Sequence, residues 1–318
     1  MRLLKNSLTL LTLAAVACSA YAKNKTGVLK ETPIVYTQGA GLQPHKVVEF
    51  KQTQSQPLTL NIFYPDDYAD GQKRPAIVLF FGGGWKGGSP TQLYPQADYF
   101  ASRGMIAISA RYRTMSRYKA EPYQCVEDGK SAVRYIRQHA DELGINPDML
   151  AAGGASAGGH VAAATATIKD YDCPEDDLSI SAVPNALVLY NPVYDNGPNG
   201  YGHERVGDYY KKISPIDNLD GTQPPTIVFM GENDKHTPPA TVRLYEQRMR
   251  DNGNVCESIL YPGQKHGFFN LHKSKDPEYF IKTMTAADQF LTKHGYLKGE
   301  PTVQVWFDEQ AARGTTME

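Results

Sequence analysis

A serine, an aspartate and a histidine, far apart in a chain of 318 residues, each follow an apolar run that ends abruptly. Ser156 lies in Gly154-Ala155-Ser156-Ala157-Gly158, between the apolar lead-in MLAA (149–152) and an alanine-rich helix former that runs to residue 166. The pattern is G-x-S-x-G, a strand–turn–helix junction tight enough to push a hydroxyl out above a sheet. Only small flanking residues allow strand and helix to approach that closely. A serine there also faces the first N–H groups of a helix, which favour developing negative charge. The bland reading of the same residues is a Gly/Ala-rich junction in which Ser156 is a helix N-cap. Asp234 closes GEND (231–234), directly after TIVFM (226–230), and His266 follows SILYPGQK (258–265). In open parallel sheets the working groups gather at the carboxyl ends of strands. The order serine, acid, histidine is that of a nucleophilic triad on this architecture.

The elements that must position these groups are legible as alternating strands and helices. PAIVLFF (75–81), MIAISA (105–110), ALVLY (186–190) and TIVFM are continuous apolar runs, the mark of strands buried on both faces. HKVVEFK (45–51) and LTLNIFY (58–64) alternate and predict a hairpin that adds an antiparallel edge. Helices are expected over residues 92–103, 123–140, 240–252 and 278–294, and a last strand over 258–261. This alternation predicts an α/β fold with a mostly parallel sheet, an antiparallel N-terminal edge and helices on both faces. The expected organisation is an extended lead-in over 23–44, an α/β domain over 45–295 and a polar, peripheral tail over 296–318.

Residues 1–22 read as a secretory signal. Arg2 and Lys5 give the positive start, residues 8–17 the short apolar stretch, and Ala20-Tyr21-Ala22 the cleavage site. A second reading makes Cys18 a lipoprotein acylation site, although Ala15 stands where a leucine is usual. Either way a periplasmic or secreted protein is expected, and no later segment is long and apolar enough to be transmembrane. Three cysteines follow the signal, Cys125, Cys173 and Cys256. At most one bridge is possible among them, with Cys125–Cys173 the candidate pair, and none has metal-ligand spacing. The net charge of −1 argues against a nucleic-acid footprint.

Taken together, FFGGGW (80–85), ARYR (110–113), DGKSAVRYIR (128–137), LGINPDML (143–150), GGASAGGHVAA (153–163), GENDKHTPP (231–239) and GQKHGF (263–268) resemble the α/β-hydrolase superfamily. They are most similar to exported bacterial esterases grouped with acetylxylan and feruloyl esterases, near the hormone-sensitive-lipase-like branch. The resemblance covers about residues 45–294. It implies an α/β-hydrolase fold with Ser156 as nucleophile, His266 as general base and acid, and Asp234 as the group that orients the imidazole. His160, His236 and His272 compete for the histidine role, and Glu232, Asp217 and Asp220 for the acid; the last two precede their strand and sit at its wrong end.

The Gly82-Gly83-Gly84 run resembles the HGGG loop, whose backbone N–H groups meet an oxyanion. By that likeness Gly83 and Gly84, with Ala157, are the oxyanion donors. Phe81 stands where the lipases place histidine, which leaves the brace of this loop open. Trp85 is expected to line the acyl or leaving-group pocket. The insertion over 191–225 occupies the place of a short cap, where Tyr194, Tyr201, His203, Tyr209 and Tyr210 suit an aromatic, polar-edged rim, or else form an ordinary surface loop. His236 is expected to contact substrate. The implied activity removes acetyl or other small acyl groups from a carbohydrate or other small ester, with no cofactor and no metal. A general carboxylesterase, a prolyl-type exopeptidase and a non-catalytic binding protein of the same fold are the alternatives.

Overall fold

The computed structural model describes residues 41–271 and 277–312. The expected signal peptide, Cys18, most of the lead-in, His272 and the last six residues of the tail lie outside the described residues. The strands, in chain order, are β1 (Lys46–Lys51), β2 (Leu58–Phe63), β3 (Arg74–Phe80), β4 (Ile106–Ala110), β5 (Ile145–Ala155), β6 (Ala186–Tyr190), β7 (Thr226–Gly231) and β8 (Cys256–Tyr261). The helices are α1 (Tyr94–Ser102), α2 (Met115–Tyr118), α3 (Pro122–Gln138), α4 (Ala140–Leu143), α5 (Ala157–Thr167), α6 (His203–Val206), α7 (Pro239–Asp251), α8 (Glu278–Lys293) and α9 (Val303–Ala312).

The strands form a single sheet in the order β1-β2-β4-β3-β5-β6-β7-β8. β1 and β2 join antiparallel at one edge, as their alternating sequences predict, and every pairing from β4 onward is parallel. Ile77, Leu79, Val188, Ile227 and Phe229 share one buried cluster with side chains of α1, α8 and α9. Their neighbours in the strands, Val78, Phe80, Leu187, Leu189 and Val228, are equally buried and point the other way. Cover on both faces is why these strands read as unbroken apolar runs. The fold is the α/β-hydrolase arrangement that the sequence implies.

Two expectations are corrected. The tail is not peripheral over its described part: α9 buries Val303 and Trp306, and the Trp306 indole N–H donates to Asp98 Oδ2 at 2.8 Å. Its overall polar composition hides an apolar pair three residues apart, which is helical spacing. Nor do Cys125 and Cys173 pair. Cys125 Sγ donates to the Arg113 carbonyl at 3.1 Å and Cys173 Sγ to the Glu175 carboxylate at 2.8 Å, and both thiols are buried and reduced. Among the described residues no helix is long and apolar enough to cross a membrane.

Candidate active site

β5 runs to Ala155, α5 begins at Ala157, and Ser156 between them has φ 53° and ψ −118°. A non-glycine residue in this region is strained, and the strain must be held by its surroundings. They are tight enough to hold it. A Cβ on Gly158 would lie 2.0 Å from the Phe80 carbonyl oxygen, and one on Gly154 would lie 2.3 Å from the Gly158 oxygen. The Ser156 N–H is tied to the Tyr190 carbonyl at 2.9 Å. The serine side chain makes no capping hydrogen bond to α5, so the N-cap reading fails.

Its hydroxyl turns instead to His266, with Oγ 2.9 Å from Nε2. On the far side of the ring Nδ1 lies 2.7 Å from Asp234 Oδ2. The Asp234 carboxylate is fully buried and also accepts from the backbone N–H groups of His236 and Thr237 and from the Thr237 hydroxyl. Burial pushes this carboxyl up, but the bonds from His266 and Thr237 outweigh it and hold it below its ordinary value. An ionised Asp234 requires the proton on Nδ1. Nε2 is then bare and accepts the serine hydroxyl, which is the tautomer a general base needs. The loops carrying Asp234 and His266 interlock where Gly231 passes the Gln264 carbonyl, which a Cβ would meet at 2.5 Å.

Ser156 and His266 open into a cleft of about 200 Å³ lined by Gly82, Gly83, Gly84, Gln92, Ala155, Asn191, Tyr201, His236, Gly267, Phe269 and Asn270. Gly83 and Gly84 have φ 136° and 62°, and a Cβ on Gly84 would sit 2.7 Å from the Tyr201 hydroxyl. The loop therefore needs glycine both for its turns and for the close approach of the Gly87 backbone and the Tyr201 hydroxyl. Ala157, the first residue of α5, presents the helix N-terminus beside the serine.

His236 is exposed at the mouth, its ring 5.0 Å from that of His266 and 6.1 Å from that of Tyr201. Trp85 and Tyr194 are elsewhere. Trp85, at φ 56°, is wholly buried behind the glycine loop, edge-on to His160 at 5.0 Å. Tyr194 is buried and stacked on Tyr245 at 3.7 Å. Neither lines the cleft: their apolar area is used against neighbouring rings. Of the expected rim, Tyr201 lines the cleft; His203 bonds the Asn196 carbonyl, and Tyr209 packs on Tyr123. His160 is buried, with Nε2 2.8 Å from the Ile213 carbonyl oxygen. Asp217 and Asp220 pair with Arg248 and Lys169, and Glu232 is exposed.

The open question of the loop's brace is answered by Tyr112 and Gln92, while Asn191 holds the histidine loop. Phe81 stacks on Tyr112, whose hydroxyl donates to the Phe81 carbonyl at 2.7 Å. The Gly82 N–H donates to Gln92 Oε1 at 2.6 Å, so a carboxamide stands in for the missing histidine. Asn191, wholly buried, takes the Gly267 N–H on Oδ1 at 3.3 Å and sets Nδ2 3.4 Å from His266 Nε2. Asn191 directly follows β6, so the strand-end rule could have found it; Gln92 and Asn270 carry no such signal.

Residues 60–186 match the BD-FAE family model and residues 199–294 the dienelactone hydrolase family. The chain is 27% identical to esterase LipQ of Mycobacterium tuberculosis over 67% of its own length and 54% of the relative's. It is 28% identical to an acetylxylan esterase of Xylanibacter ruminicola over 61% of its length and 41% of that protein. The chain thus spans about half the length of the curated relatives it matches. A solved thermophilic esterase of Thermogutta terrifontis with propionate bound is 41% identical, with a TM-score of 0.76, over 82% of this chain and 97% of that one. The Thermogutta terrifontis esterase 2 phosphonylated by cyclosarin is 42% identical, with a TM-score of 0.76, over 80% and 96%.

Proposed function

Because the chain belongs to the esterases of the α/β-hydrolase superfamily, we propose that it is a serine carboxylic-ester hydrolase that works through an acyl-enzyme. The observation that carries this reading is the unbroken line from Ser156 Oγ through His266 to the buried Asp234, at 2.9 and 2.7 Å. Ser156 Oγ attacks the ester carbonyl carbon while His266 Nε2 takes the hydroxyl proton. The carbonyl oxygen becomes an oxyanion facing the N–H groups of Gly83, Gly84 and Ala157. Asp234 stays ionised and stabilises the imidazolium. The intermediate collapses by breaking the bond to the alcohol, which leaves with the proton from Nε2. Water then repeats the sequence on the acyl-serine, giving its proton to His266, and the carboxylic acid departs as Ser156 regains its hydrogen.

The substrate we propose is a small acyl group, acetyl above all, on a carbohydrate. The cleft is small, and three carboxamides, two imidazoles and a phenol reach its wall beside an apolar part from Ala155, Phe269 and the Tyr201 ring. Such a wall suits an alcohol rich in hydroxyl groups better than a long alkyl chain. The similarity to an acetylxylan esterase and to an esterase holding propionate supports the same substrate. We propose export as well, which fits an extracellular glycan, because residues 1–22 read as a secretory signal; N-terminal sequencing of the mature protein, with Lys23 expected first, tests it.

Ser156→Ala should lower turnover of p-nitrophenyl acetate by roughly 10⁴- to 10⁶-fold and abolish labelling by a fluorophosphonate. Turnover at the parent's rate would end the proposal. Acetate release from acetylated xylan oligomers, set beside p-nitrophenyl acetate and butyrate, tests the substrate. Because p-nitrophenolate leaves far more readily than a sugar hydroxyl, the deciding comparison is ethyl acetate, and a kcat/KM on the glycan no higher than on ethyl acetate would leave a general short-chain carboxylesterase.

A further inference from the structure

We infer that Gln92 and Asn270 form a carboxamide strut that holds the glycine loop and the histidine loop in register, making both of them positioning residues for the reaction. This rests on the reading of Gly83 and Gly84 as oxyanion donors and His266 as the base. The strut is a continuous chain of three hydrogen bonds across 178 residues of sequence. The Gly82 N–H donates to Gln92 Oε1 at 2.6 Å, Gln92 Nε2 donates to Asn270 Oδ1 at 3.0 Å, and Asn270 Nδ2 donates to the Gly267 carbonyl at 2.9 Å.

Each link fixes the next. The Gly82 N–H can only donate, so Gln92 must present its oxygen there and its nitrogen to Asn270. Asn270 must then answer with its oxygen, which leaves its nitrogen for Gly267. Reversing either amide would set donor against donor at one end and acceptor against acceptor at the other. The chain therefore has one self-consistent orientation, and its ends are the residue before the proposed donors and the residue after the proposed base. Gly82 is also confined from the other side, since a Cβ on it would lie 3.0 Å from the Ala155 carbonyl and 3.3 Å from Ser156 Cβ. Gln92 enters from the turn Pro90–Leu93 that leads into α1, and Asn270 is buried. A hydrogen-bond donor must meet the oxyanion within a few tenths of an ångström, and misplacement by about 1 Å can cost 100-fold. The strut's hydrogen bonds run to backbone and between its own amides, so it would set that separation through the loops rather than by bonding the serine or the imidazole.

The test is a double-mutant cycle, Gln92→Leu, Asn270→Leu and both together, read by p-nitrophenyl acetate kinetics on enzyme counted by fluorophosphonate titration. Each single change should lower kcat about 10- to 100-fold with KM within about threefold, and the double variant should be no worse than the poorer single one. A kcat within about twofold of the parent overturns the strut, as does a double variant whose loss is the product of the two. If the leucine variants fail to fold, Gln92→Glu carries the test. The introduced carboxyl accepts from Gly82 in either form but donates to Asn270 only when protonated. The ratio of its kcat to the parent's should fall as pH rises from about 5 to 8, across the range in which a buried carboxyl ionises; a flat ratio overturns the strut. Ser156→Ala separates this idea from the reading beneath it. If that variant is inactive while the strut variants match the parent, the strut alone fails; if it is active, the assignment of the site fails first.

Discussion

His160, wholly buried one turn into α5, titrates far from where a free imidazole does. Full burial drives its imidazole down, to about 4, against the pull of its bond to the Ile213 carbonyl. An unfolded histidine titrates near 6.5, so as pH falls the unfolded chain takes up this proton first. The sign follows: the folded state loses stability as pH drops from about 6.5 to about 4, by roughly 3 kcal/mol over the window. Asp234, held below the ordinary carboxylate value, adds a loss of the same sign at lower pH. Urea unfolding at pH 7, 6, 5 and 4.5 should show the decline, and His160→Gln should flatten it while lowering stability near neutrality. An unchanged slope in the variant would mean that the imidazole reaches water in the folded protein. At this scale the sequence revealed chemistry better than orientation. Ser156, Asp234 and His266 were legible because each lies in the connection that leaves the carboxyl end of a strand, β5, β7 and β8 respectively. Trp85 and Tyr194 were misread because an aromatic type says that a ring wants cover, not which side of the chain supplies it. Gln92 was invisible because a carboxamide partner has no period and no fixed spacing.

At the level of elements, the strand β5, the turn at Ser156 and the helix α5 act as one spring held by glycines. Gly158 is where α5 crosses the end of β3, and any Cβ there collides with backbone, which cannot rotate away. Gly158→Ala should therefore cost about 2–3 kcal/mol, the scale of an overpacked core. The strain should reach the chemistry as well, because the obstructing carbonyls belong to Phe80 and Phe81, which lead into the glycine loop. Activity per folded molecule should drop at least about tenfold. Gly87→Ala is the contrast: its Cβ would meet Ser116 Oγ at 3.6 Å, an ordinary contact. Thermal melts and active-site titration of both variants check this, and equal behaviour of the two would remove the close crossing as the reason for glycine at 158. Seven of the eight strands were legible to within two residues, the central ones because burial on both faces forbids polar interruption. The exception, β5, starts at Ile145, four residues before the apolar run at Met149, because the polar Asn146 and Asp148 lie between and are not fully buried. What sequence could not give was the lateral order of the sheet, in which β4 lies between β2 and β3.

Over the whole molecule, the end of the described chain closes the face of the sheet that α1 and α8 cover. Tyr99 donates its hydroxyl to the buried Asp288 of α8 and accepts the Thr302 N–H at 3.2 Å, just ahead of α9. Arg103 completes the charge on Asp288 at 2.7 Å and reaches the Lys298 carbonyl. Trp306 then seats its ring between Tyr99 and Phe280 and anchors its N–H on Asp98. An apolar ring of that size, lost from a buried site, costs about 3–5 kcal/mol. Trp306→Ala should lose that much in denaturant unfolding, and Trp306→Phe less, since it keeps ring contacts and gives up the bond to Asp98. None of these residues lines the cleft, so kcat for p-nitrophenyl acetate should stay near the parent's while the variants remain folded. Stability and turnover thus separate: Gln92 is expected to change rate with little change in stability, and Trp306 the reverse. Unfolding midpoints for Trp306→Ala equal to the parent's would mean that α9 does not dock in solution. A loss of kcat in the folded variant would mean instead that α9 supports the site through α1, whose leading turn carries Gln92.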